Sequence, residues 1–248
     1  MKIGILDSGI GGLTVLKECL KHIPNHEYLY YADSKNAPYG TKTQELVTAL
    51  TTEAVEFLIS KGAQIIVIAC NTATSAAANM LRQTYDLPII GMEPAIKPAL
   101  ALAGEKRVLV TATELTLKAN KLLNLARALG GDGIIDLCPL GGLVELAESG
   151  EFGEEKVLAY LKSELKDYDT TQYASVVLGC THFPLYKEII AKLFPETTVL
   201  VDGTTGTLNR IKTFITQESD SPSVEFFLSK ESLLEGEMLD LIWRILKS

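Results

Sequence analysis

A chain of 248 residues with 31 Asp and Glu against 23 Lys and Arg carries a formal charge of −8 and shows no run of cations. That composition argues against a nucleic-acid partner, because phosphate neutralisation needs clustered Lys and Arg. The 47% hydrophobic content suits a globule with a sizeable core, as one large domain or two small ones. No apolar stretch approaches the roughly 20 residues of a membrane span, so no membrane partner is expected.

In chain order the pattern alternates. Ile3 to Leu6 reads as a buried strand, and Gly12 to His22 has helical apolar spacing ended by Pro24. Tyr28 to Tyr31 is a strand whose tyrosines are expected to pack, and Ser34 to Lys42 is a loop of Pro, Gly and Asn. Then follow a helix over Gln44 to Ser60, a strand over Gln64 to Ala69, a helix over Thr74 to Tyr85, a short strand at Ile89-Ile90 and a helix over Pro94 to Ala103. The pattern restarts with a strand over Arg107 to Val110, a helix over Leu115 to Leu129 and a strand over Ile134 to Leu137. A helix over Glu154 to Lys166, a strand over Ser175 to Leu178, a helix over Leu185 to Phe194 and a strand over Val199 to Val201 come next. A helix near Thr207 to Gln217, a strand near Val224 to Leu228 and an amphipathic tail near Leu233 to Leu246 finish the chain. Such alternation implies an α/β fold of mostly parallel sheets flanked by helices, with ligands at the carboxyl ends of strands.

The four cysteines, Cys19, Cys70, Cys138 and Cys180, form no C-x-x-C pair, which speaks against zinc and against a disulfide framework. Free thiols and a strand beginning at residue 3, with no secretory signal before it, lead to the expectation of a cytoplasmic protein. Two of the cysteines share a context. Ile65-Ile66-Val67-Ile68-Ala69-Cys70-Asn71-Thr72 and Ser175-Val176-Val177-Leu178-Gly179-Cys180-Thr181-His182 each end an apolar strand on a small residue, then a thiol, then hydrogen-bonding side chains. A lone buried Cys is usually a small hydrophobe, which is the expectation for Cys19 and Cys138. Two matched copies suggest instead one thiol on each face of a substrate, the arrangement that racemisation at a carbon requires.

The first strand runs into Asp7-Ser8-Gly9-Ile10-Gly11-Gly12-Leu13-Thr14. Thr14 stands where a dinucleotide fingerprint needs its third glycine, so a carboxylate is the better ligand for this turn than a pyrophosphate. His182, two residues after a candidate thiol, is read as functional. His22 and His26 flank Pro24 and are read as solvated.

Four segments together resemble the glutamate racemases of the cofactor-independent aspartate/glutamate racemase superfamily. They are Asp7-Ser8-Gly9-Ile10-Gly11-Gly12, Asn36-Ala37-Pro38-Tyr39-Gly40, Ala69-Cys70-Asn71-Thr72-Ala73 and Gly179-Cys180-Thr181-His182-Phe183-Pro184-Leu185. The resemblance implies two pseudo-symmetric α/β domains with the active site in the cleft between them. The first domain would comprise residues 1–93, completed by 206–248, and the second residues 94–205. It implies interconversion of L- and D-glutamate for peptidoglycan, with no cofactor and no metal, and leaves a homodimer open. Cys70 and Cys180 would be the acid/base thiols, Cys70 taking the proton from D-glutamate and Cys180 from L-glutamate, with Asp7 beside Cys70 and His182 beside Cys180 as helpers. Asp7, Ser8, Pro38, Tyr39, Gly40, Cys70, Asn71, Thr72, Thr113, Thr116, Cys180, Thr181 and His182 fall where the family binds substrate. Another site glutamate of the family is matched by Glu145 or Glu148, and the spacing from Cys138-Pro139 does not decide between them.

The chain departs from the family at Ala112 and Ala119, which stand where Gly and Ser are usual, and at Val201-Asp202-Gly203. Other members of the superfamily, such as an aspartate racemase or a one-sided decarboxylase, stay open, as does a non-catalytic small-acid sensor. A decarboxylase would need one of the two thiols.

Overall fold

A computed structural model of the chain describes residues 1–247, and of Asn120, Lys121 and Leu123 the backbone alone. The first half runs β1 (Lys2–Asp7), α1 (Leu13–His22), β2 (Glu27–Ala32), α2 (Gln44–Ser60), β3 (Ile65–Ile68), α3 (Asn71–Thr84), β4 (Ile89–Gly91) and α4 (Ile96–Ala101). The second runs β5 (Arg107–Ala112), α5 (Glu114–Lys118), α6 (Asn120–Ala128), β6 (Ile135–Pro139), α7 (Gly142–Glu148), α8 (Glu154–Glu164), β7 (Tyr173–Leu178), α9 (Lys187–Ala191) and β8 (Val199–Asp202). After it come α10 (Thr204–Lys212), β9 (Ser223–Leu228), β10 (Glu231–Ser232) and α11 (Glu237–Lys247). No helix among the described residues is long and apolar enough to cross a membrane.

Two sheets result. One has the order β10-β9-β2-β1-β3-β4 and the other β6-β5-β7-β8. All pairings are parallel except β10 with β9. The chain after Ser223 therefore adds its strands to the first sheet, with Tyr30 opposite Phe226. Parallel strands need crossovers, and helices supply them, so both faces of each sheet are buried. The side-chain period of 2 then sorts residues between two cores. Ile3, Ile5, Tyr28 and Tyr30 pack with Leu13, Leu16 and Cys19 of α1, while Leu29, Tyr31, Ile66 and Ile68 pack with Val47, Val55 and Leu58 of α2. The core on the α1 side continues into the second half through Leu109, Cys138, Val176 and Phe183. Cys19 and Cys138 are accordingly buried hydrophobes.

Several boundaries differ from the sequence reading. The helix after β3 begins at Asn71 rather than Thr74, because the Cys70 thiolate or thiol sulfur accepts the Ala73 N–H at 3.4 Å and caps it. The helix expected over Leu115 to Leu129 is split at Ala119, whose ψ of 124° is extended and breaks the hydrogen-bond ladder between α5 and α6. The helix expected over Leu185 to Phe194 is a 3₁₀ turn, Phe183–Tyr186, followed by the short α9. α7 was not anticipated from the sequence; its seven residues lie between Pro139 and Gly150 and bury Leu143, Val144 and Ala147. His26 is buried rather than solvated, edge-on to Tyr28, whereas His22 is exposed and lies 3.2 Å from Glu18.

Candidate functional site

Each half of the site grows from a strand end. β1 and β3 are neighbours in register, Leu6 opposite Ile68, so Asp7-Ser8 and Ala69-Cys70 leave the sheet side by side. β5 and β7 are likewise neighbours, Thr111 opposite Leu178, which puts Thr113 and Cys180 at the same edge of the second sheet. The two edges face each other. Cys70 and Cys180 are both buried, 6% and 8% exposed. They lie close enough that the charge of Cys180 acts on Cys70.

The surroundings of the two thiols differ. The Cys70 thiol is pushed up to about 12 by burial and by Asp7, against the Ala73 N–H and the Ser8 hydroxyl, which favour the thiolate. Its sulfur is 3.8 Å from Ser8 Oγ. The Cys180 sulfur is 3.6 Å from His182 Nδ1, and His182 Nε2 is 2.6 Å from Glu148 Oε1. Burial works against the imidazolium form of His182, but the hydrogen bonds and charges of Cys180 and Glu148 outweigh it and hold its pKa well above the ordinary histidine value. Glu148, at the end of α7, is therefore the glutamate that meets His182. Glu145 lines a cavity of about 530 Å³ that Pro38, Gly40 and Thr113 also border.

Asp7 meets both halves. Burial raises its carboxyl above the usual range, opposed by His182 and by the Gly9 N–H, which donates to Oδ2 at 3.1 Å. Its other oxygen accepts the Thr181 hydroxyl at 3.1 Å. Asp7 thus acts on Cys70 through its charge, and its side-chain bond reaches the opposite half.

The glycine turn after β1 accommodates a carboxylate, and that carboxylate belongs to the protein. Ile10 N–H donates to Glu148 Oε1 at 2.8 Å. A Cβ on Gly9 would lie 1.8 Å from that oxygen, and one on Gly11 would lie 2.5 Å from both His182 Nδ1 and Thr181 Oγ1. Glycine is required here because side chains of the second half come up against the backbone.

Three hydroxyls close the other side. Thr72 Oγ1 at the start of α3 is 3.0 Å from Thr113 Oγ1 and 3.1 Å from Thr116 Oγ1, and the last two are 3.0 Å apart. Gly40 packs on Thr113, where a Cβ would approach its Cβ to 2.7 Å. Pro38 follows a cis bond. Tyr39 is buried and donates to Asp33 Oδ2 at 2.7 Å. Asn71 is buried with Oδ1 lacking a protein partner. Of the residues named from the sequence, Asp7, Thr181, Cys180 and His182 form one connected group, and Thr72, Thr113 and Thr116 another. Those it did not reveal are Asp33 and Tyr30, whose hydroxyl donates to the Gly9 carbonyl at 2.7 Å. Tyr30 lies within β2 and Asp33 just after it, and the partners of both are set by the fold and not by neighbouring residues. Among the described residues, no group of three or more His, Cys, Asp or Glu is placed to hold a metal ion.

Two mostly parallel sheets each carry a buried thiol at the carboxyl edge, and one of these thiols lies beside an imidazole and a carboxylate. The family model for Asp/Glu/Hydantoin racemases matches residues 10–211, and the chain belongs to that family. It is 44% identical over 251 residues to glutamate racemase 2 of Bacillus subtilis, covering 99% of this chain and 95% of that one. Among solved structures it is similar to the glutamate racemase of Escherichia coli in complex with L-glutamate, with a TM-score of 0.86, 30% identity and coverage of 99% and 94% of the two chains. It is also similar to that of Francisella tularensis in complex with D-glutamate, with a TM-score of 0.84, 25% identity and coverage of 100% and 94%.

Proposed function

We propose that this chain is a glutamate racemase that moves the α-proton between L- and D-glutamate with Cys70 and Cys180 as its two acid/base groups. The observation that carries this reading is the pair of buried thiols, one at the carboxyl edge of each sheet. Inversion requires removal of a proton on one face and delivery on the other, and two groups fixed on separate halves do this without moving past the substrate.

In the L to D direction, the Cys180 thiolate takes the proton from the α-carbon and the Cys70 thiol gives one to the opposite face. The D to L direction reverses the roles. The thiolate is the working base, and the His182 imidazolium beside Cys180 stabilises it. The carbanion formed in between is held by fixed donors in a closed site, where electrostatic interactions are strong. Ser8, Asn71, Thr72, Thr113, Thr116 and Thr181 supply hydroxyl and amide groups for the carboxylates and the ammonium, with Pro38-Tyr39-Gly40 walling the cleft. This chemistry needs no cofactor. The reading carries with it a first unit of 1–93 completed by 206–248 and a second of 94–205, a cytoplasmic location, and supply of D-glutamate for peptidoglycan and hence for cell-wall growth and cell shape.

The test is circular dichroism of each enantiomer of glutamate and of aspartate with purified protein, followed by mass spectrometry in deuterated water. Glutamate of either hand should lose its signal, and aspartate should not. In the first few per cent of conversion the product should carry deuterium while recovered substrate stays protiated. An α-proton retained in the product would mean one group serving both faces and would overturn the assignment.

A further inference from the structure

Thr14 is the residue that departs from the nucleotide fingerprint, and nothing above uses its side chain. It lies in the first turn of α1, and its Oγ1 faces two carbonyls, Gly11 O at 2.8 Å and Thr181 O at 3.2 Å. A hydroxyl has one proton to give, so this is a three-centre bond with its longer limb crossing between the two halves. In the turn after β7, the Cys180 and His182 carbonyls accept from Phe183 N–H and Leu185 N–H within the turn itself. The Thr181 carbonyl between them is met from the first half. Thr14 also borders a cavity of about 670 Å³, none of whose lining residues is assigned to substrate. It therefore acts on the turn and not on the reacting atoms.

We propose that Thr14 is a positioning residue that, with the Ile10 N–H on Glu148, clamps the Cys180-Thr181-His182 turn of the second half in its working geometry against the first half. This rests on the reading of Cys180 as one of the two thiols. Two first-half donors then grip the second-half acid/base group, one at the turn backbone and one at the carboxylate behind His182. The Thr14 hydroxyl is anchored on its own half by Gly11 O at 2.8 Å, so its bond to Thr181 O at 3.2 Å reaches the second half from a fixed position.

Thr14→Val has the same branched shape and removes the hydroxyl alone, and Thr14→Ser returns it. Two readouts are taken on the intact protein: steady-state racemisation, and alkylation of each cysteine by iodoacetamide followed by peptide mass spectrometry. Thr14→Val should lower kcat about fivefold, which is the loss of one hydrogen bond's worth of positioning, about 1 kcal/mol. It should change KM little and raise alkylation of Cys180 relative to Cys70, and Thr14→Ser should restore both. Unchanged kcat and unchanged relative alkylation in Thr14→Val overturn the clamp. So does an equal rise at both cysteines with a lowered melting temperature, which a merely structural role would give. A wild-type protein that does not racemise glutamate, yet shows the Cys180-selective change in Thr14→Val, leaves the clamp standing and removes the racemase reading.

Discussion

Oε1 of Glu148 lies 2.6 Å from His182 Nε2 and accepts the Ile10 N–H at 2.8 Å, so one carboxylate oxygen joins the glycine turn of the first half to the imidazole of the second. Glu148 and Cys180 hold His182 protonated against the cost of burial. Because this pKa is raised, the stabilisation from the charged imidazole is full below the ordinary histidine value and is lost as pH rises through the raised one. Glu148→Gln should lower the His182 titration midpoint, read by NMR of ring-labelled histidine. The alkaline limb of kcat should move to lower pH, and kcat should fall about tenfold to a hundredfold, the low end for a positioned proton-transfer assembly. An unmoved His182 midpoint would show that Glu148 does not set it.

Substitution of the four cysteines separates chemistry from packing. Cys70→Ala and Cys180→Ala should each reduce racemisation by at least about a thousandfold, since loss of either acid/base group stops one face. Cys19→Ala and Cys138→Ala should keep most of the activity and lower the melting temperature instead, because both fill the core. Near-normal kcat in Cys70→Ala or Cys180→Ala refutes the two-thiol mechanism.

Asp7 trades stability for function. Its folded pKa is raised by burial, so at neutral pH the buried charge costs stability. That cost is relieved as pH falls through the raised value and is gone below the unfolded one. Asp7→Asn should therefore raise the melting temperature near pH 8, at about 2–4 °C per kcal/mol for a chain of this size, while activity drops. The gap should close as pH approaches 4. Equal melting temperatures at pH 8 would count against a destabilising charge.

The three-threonine cluster gives a prediction constrained by thermodynamics. Enantiomers have equal free energy in water, so kcat/KM must fall by the same factor in both directions whatever the mutation. Thr72→Val removes the hydroxyl that meets Thr113 and Thr116 across the cleft. It should raise KM for both enantiomers about fivefold to tenfold, the worth of one hydrogen bond, with the larger part of the loss in KM rather than kcat. Loss confined to kcat would place Thr72 outside substrate binding.

Much of this protein is written locally. β-branched runs ending at Ala69-Cys70 and Gly179-Cys180 specify buried strands that deliver a thiol to the carboxyl edge of a mostly parallel sheet, and the helix over Gln44–Ser60, capped by Thr43, is legible from its own residues. Strand and helix periodicities are properties of neighbouring residues and need no tertiary context. What the fold decided is who meets whom across the cleft. Glu148 could not be chosen over Glu145, because the choice depends on the phase of a seven-residue helix that leaves little periodic signal. Asp7 finds Thr181, Thr14 finds the Thr181 carbonyl, and Gly9 and Gly11 yield their space to Glu148 and His182. These contacts span more than a hundred residues of chain and are set by how two independently patterned sheets pack, which no local spacing encodes.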